Sequence, residues 1–68
     1  MFGEHIEAMG QLMQENGERV TEANVRDLAM GVADIVYAQG LITDEAEIDL
    51  AVEQIEAQAR YLFNLAAS

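Results

Sequence analysis

Six carboxylates fall between Asp44 and Glu56 in the stretch LITDEAEIDLAVEQIEAQAR, residues 41–60, and no basic side chain interrupts them before Arg60. Acid/base catalysis by paired carboxylates needs one of them desolvated, so that it holds a proton near neutral pH, beside a cleft that binds substrate. Helical periodicity instead puts these acids on water-facing arcs. A di-iron bundle site needs Glu-x-x-His on facing helices, whereas His5 has no glutamate three residues before it. TDEAEID lacks the turn glycine of a calcium loop. With no cysteine and a single histidine there is no zinc cage. None of the five glycines precedes a lysine, which excludes a phosphate-cradling loop. Ser68 is the only serine, which removes a serine nucleophile and the attachment point of an acyl-carrier-like domain. The expectation is a protein with no catalytic residues, no cofactor and no metal. His5, beside Leu12 and Asn16 at the margin of an apolar face, reads as a partly buried structural histidine rather than a pH sensor.

Sixty-eight residues make one small domain, and a chain this short hides only ~60% of the surface its unfolded form exposes. Without disulfides, its stability has to come from tight helix packing or self-association. Apolar residues make up 51% of the chain, which argues against disorder. Thirteen acids against three arginines and no lysine give a formal charge of −10. That charge repels phosphate backbones and anionic lipid, which disfavours direct nucleic-acid or membrane binding, and it attracts a basic protein surface. The first residues lack a basic segment followed by an apolar core, and no apolar run approaches ~20 residues. These features lead to the expectation of a cytoplasmic protein, located in the host cytoplasm if a phage encodes it.

The elements that must position these side chains are three helices, predicted at about 3–16, 22–39 and 44–66. In the first, Phe2, Ile6, Met9 and Met13 recur at helical spacing, and Gly17 suits a left-handed cap. The second begins at Thr21 as N-cap with Val20 and Val25 as a hydrophobic staple. Its buried stripe comprises Val25, Leu28, Ala29, Val32, Ile35 and Val36, and Gly40 then lets Leu41 fold back onto Val36. The third starts at Thr43 or Asp44, with Asp44, Glu45 and Glu47 near the positive end of the helix dipole. Ile48, Val52, Ile55, Ala59, Leu62 and Ala66 form its core stripe. At about 23 residues it would run ~34 Å, more than the ~28 Å diameter of a compact 68-residue domain. An overhanging apolar tail follows from that length.

Three surfaces remain. Glu45, Asp49, Glu53 and Glu56 share an outer acidic arc, the candidate partner-binding face; Glu56 also pairs with Arg60 one turn on. Leu50, Tyr61, Leu65 and Phe63 form a second apolar set, the candidate for self-association or docking, unless the first helix covers it. Arg26, Met30 and Tyr37 make a further contact patch. The expected whole is an all-α three-helix domain with a long C-terminal helix, self-associating as a homodimer and acting by binding another protein. The favoured functional expectation is a phage-type antagonist that occupies the basic nucleic-acid-binding surface of a host defence protein by charge mimicry. Its rival is a homodimeric structural or regulatory module whose acidic faces confer only solubility.

Overall fold

A computed structural model describes residues 2–65. Three helices follow one another, α1 (Gly3–Glu15), α2 (Val25–Ala38) and α3 (Ile48–Leu62), and α3 is entered through one 3-10 turn at Glu45–Glu47. No strand occurs among the described residues. The three-helix all-α architecture expected from periodicity is the one observed, with the C-terminal helix the longest at 15 residues.

All three helices end in the same backbone motif. After α1, Gly17 takes φ +82°, its N–H bonds the Gln14 carbonyl at 3.0 Å, and the Glu18 N–H reaches the Met13 carbonyl at 2.8 Å. After α2, Gly40 takes φ +80°, with Gly40 bonding Tyr37 at 3.0 Å and Leu41 bonding Val36 at 2.9 Å. After α3, Asn64 takes φ +53°, with Asn64 bonding Tyr61 at 3.2 Å and Leu65 bonding Arg60 at 2.9 Å. This pairing satisfies carbonyls that a helix end otherwise leaves open, and the left-handed residue in its middle is usually glycine, sometimes asparagine.

The third of these motifs corrects the expected helix to residue 66. α3 stops at Leu62 and is ~22 Å long, which fits inside a molecule of 31 × 27 × 18 Å. No tail overhangs among the described residues, because the turn at Asn64 brings Phe63 and Leu65 back against the core. Ala66 lies outside the described residues. Leu62, placed in the core stripe by periodicity, is 39% exposed, while Phe63 and Leu65 after it pack against the core.

The helix starts use side chains. Thr21 and Asn24 cap reciprocally: the Thr21 hydroxyl accepts from the Ala23 N–H at 3.2 Å, and the Asn24 side-chain oxygen accepts from the Thr21 N–H at 2.8 Å. Regular α-helix begins only at Val25, so residues 21–24 form a tight entry turn rather than the first turn of α2. Asp44 caps the 3-10 turn ahead of the third helix, accepting from the Ala46 N–H at 2.9 Å, and regular α-helix begins only at Ile48 rather than at residue 44. Each connection also drops one apolar anchor into the core, Val20 in the first and Ile42 in the second. Leu41, expected to fold back on Val36, bonds it through its backbone while its side chain stays 59% exposed; its neighbour Ile42 fills the core instead.

The core is apolar throughout and centred on α2, whose Val25, Leu28, Ala29, Val32, Ala33 and Val36 are all buried. Ile6 from α1 and Ala51, Val52, Ile55 and Ala59 from α3 complete it. The His5 Nε2 lies 3.2 Å from the Gln39 Oε1, and the Met9 Cε would lie 3.2 Å from a Cβ on Gly31, so α1 runs antiparallel to α2. On the other side α1 meets α3. Gly3 lies against Gln58, and the Phe63 ring covers Gly10, where a Cβ would run into Cζ and Cε1. Ile35, counted in the buried stripe of α2, is 38% exposed. Gly31, one turn before it, leaves the room that the end of the Met9 side chain occupies.

Candidate protein-docking surface on the third helix

A guanidinium network positions α3 against α2. Arg60 donates from Nε to both carboxylate oxygens of Glu22 at 3.0 Å and from one terminal nitrogen to Glu56 at 2.6 Å. Arg26 reaches the other Glu56 oxygen at 3.1 Å. The pairs Glu22–Arg60 and Arg26–Glu56 run in opposite chain directions, as α3 lies antiparallel to α2 and the turn that enters it. Carboxylates on two sides hold the Arg60 guanidinium above its ordinary basicity, the Glu22 hydrogen bond contributing most. The sequence suggested only the one-turn pair Glu56–Arg60; the links to Glu22 and Arg26 join residues far apart in the chain and leave no local signal.

This network divides the acidic arc. Glu45, Asp49 and Glu53 are exposed and make no ion pair among the described residues. The Glu56 side chain is only 13% exposed and sits between two arginines. Glu56 therefore belongs to the helix–helix contact, and three carboxylates rather than four face outward on this arc. Glu4, Glu7 and Glu15 do not extend it. α1 packs on the Gln58 side of α3, whereas the arc lies on the α2 side.

The second apolar set also divides. Phe63 and Leu65 are partly buried against the core, Phe63 on Gly10 of α1, so the fold uses them internally. Leu50 is 55% exposed and Tyr61 85% exposed, with Ala57 exposed between them. At ~100° per residue these three occupy an arc of about 40°, nearly opposite the buried Val52, Ile55 and Ala59. α3 is thus apolar on its outer side as well as on its inner one. Glu53 and Asp49 border the outer strip on the α2 side, and Gln54 and Gln58 border it on the α1 side. At one end, Leu50 shares an open groove with Phe2, Leu41 and Ile42.

Arg26, Met30 and Tyr37 lie on the α2 flank facing α3. Arg26 is tied to Glu56, while Met30 is 48% and Tyr37 37% exposed. Arg26 meets Glu56, so the patch lies on the same flank of the α2–α3 pair as the acidic arc. His5 is half-buried, with its ring edge-on to Phe2 at 6.3 Å.

Among the described residues no three histidine, cysteine or acidic side chains come together as a metal site, and no helix is long and apolar enough to cross a membrane. No protein-family model, curated protein or solved structure matches this chain.

Proposed function

We propose that this chain is a non-enzymatic binding module whose α3 surface engages a basic surface of another protein. One observation carries the reading. Arg26 and Arg60 are both spent on Glu22 and Glu56, which leaves Glu45, Asp49 and Glu53 without a cation of their own beside exposed apolar side chains. Unpaired acids flanking an apolar strip suit a partner that brings lysine or arginine together with apolar groups. A nucleic-acid-handling protein offers such a surface, and a module seated on it would keep the polyanion out. Pure charge mimicry accounts for less of the binding. The three acids span ~12 Å of helix axis, over which duplex DNA presents about seven phosphates, so apolar contact must supply part of the affinity.

The test compares capture of proteins from a host lysate at low and high salt by the native chain and by the Asp49→Lys, Glu53→Lys double variant. The native chain should retain basic proteins that high salt releases, and the double variant should retain none of them. Retention of the same set by both would refute the reading. A homodimer through α3 is the second reading, favoured by the exposure of Leu50 and Tyr61. It has to bring two molecules of charge −10 together.

A further inference from the structure

Resting on that reading, we propose a specific occupant for the outer strip of α3: an amphipathic basic helix of the partner, lying along Leu50, Ala57 and Tyr61 with its cationic edge against Asp49 and Glu53. The strip is straight, because residues seven and eleven positions after Leu50 return to nearly the same angle on a helix. It runs ~16 Å from Leu50 to Tyr61, about three turns, so a partner segment of three to four turns covers it. Ala57 at the centre permits close approach, while Leu50 and Tyr61 stand at either end as anchors for facing side chains. Helix-in-groove recognition has this form, with apolar anchors spaced along one face.

Charge decides between a basic helix and a second copy of this chain. Paired helices sit ~8–10 Å apart, about one screening length at physiological salt. Two copies joined through their α3 strips would hold both sets of Asp49 and Glu53 within that range, and the one cation beside them, Arg60, is already paired with Glu22 and Glu56. A lysine- or arginine-edged helix meets the same carboxylates with opposite sign. The borders also fix its rotation, since cations are favoured on the Glu53 side of the strip and neutral polar groups on the Gln54 and Gln58 side.

The experiment titrates the isotopically labelled chain with a fourteen-residue leucine–lysine peptide of helical periodicity. The controls are a scrambled peptide of the same composition and a leucine–glutamate counterpart. Amide shifts should move at Leu50, Ala57 and Tyr61, with helicity induced in the leucine–lysine peptide alone. Affinity should fall at least tenfold in the Leu50→Ser, Tyr61→Ser double variant. Both side chains are exposed, so that variant should keep its circular dichroism spectrum. Equal binding of the scrambled peptide, or shifts centred on Leu12 and Ile35, would overturn the inference while leaving the charge-based reading intact. Sedimentation showing a dimer at tens of micromolar that the same double variant dissociates would also overturn it, because the strip would then be occupied by a second copy. Failure of the broader reading shows separately, in the lysate comparison of Asp49→Lys, Glu53→Lys.

Discussion

Glu56 is nearly covered because two guanidinium groups converge on it, one from α2 and one from its own helix. A carboxylate withdrawn from water is held at low cost only while those partners remain. Neutralising it should therefore destabilise the fold more than neutralising an acid that faces solvent. In thermal unfolding, Glu56→Gln should lower the midpoint by several degrees, whereas Glu53→Gln should stay within about 0.5 kcal/mol of the native chain. Equal effects would mean that the network contributes nothing to stability. Gly10 and Phe63 make the other residue-scale pair. Glycine inside a helix costs ~1 kcal/mol relative to alanine, and here its bare backbone makes room for the Phe63 ring. Gly10→Ala should stabilise the Phe63→Ala variant by up to ~1 kcal/mol and fail to stabilise the native chain. Denaturant titration of the four-member cycle reads this coupling directly, and additive effects would rule out the contact.

At the scale of the element, the end of α3 decides whether this helix carries an apolar tail or closes on itself. Asn64 holds the turn in the left-handed region, which an ordinary side chain enters at a cost of ~1–2 kcal/mol. Asn64→Ala should cost about that much. Asn64→Gly should be neutral or stabilising, since glycine takes this conformation freely. If Asn64→Ala were instead neutral, α3 would have to continue past Leu62, and the amide of Leu65 would no longer show the exchange protection its bond to Arg60 implies. The same kind of turn at Gly17 and Gly40 was legible in the sequence, because glycine after an apolar periodic segment marks a helix end. The asparagine in FNL carries the same meaning more faintly. Periodicity continues through Leu62, Leu65 and Ala66, and it concealed the stop.

Across the whole molecule, thirteen acids and three arginines leave a large unbalanced charge, and among the described residues only Glu22 and Glu56 meet an arginine. Self-repulsion among the other carboxylates opposes the compact state, and salt screens it. Raising sodium chloride from about 0.01 M to 0.5 M shortens the screening length from ~30 Å to a few ångströms. It should stabilise the domain by roughly 1 kcal/mol, which for a chain of this size raises the midpoint by ~4–8 °C. A falling midpoint would show that the Arg26–Glu56–Arg60–Glu22 network outweighs the repulsion. The apolar side chains left outside on α3, Leu50 and Tyr61, are the cost of a small domain in which that helix has two apolar sides and only one core to fill.

Spacing along the chain alone determined the three helices, their order, two of the three stops and most of the inner stripes, Ile35 and Leu62 being the members that stay exposed. Each of these is a local property, set by the 3.6-residue period and by the residue types that end a helix. The outer row on α3 was legible for the same reason, since Leu50, Ala57 and Tyr61 fall on one angle wherever that helix is placed. What the tertiary structure alone decided was which members of a stripe stay free. Glu56 left the acidic arc because α2 delivers Arg26 to it. Phe63 and Leu65 left the apolar row because α1 offers Gly10 and the turn at Asn64 brings them there. Contacts between residues thirty or more positions apart have no period, so they emerge only when the helices pack.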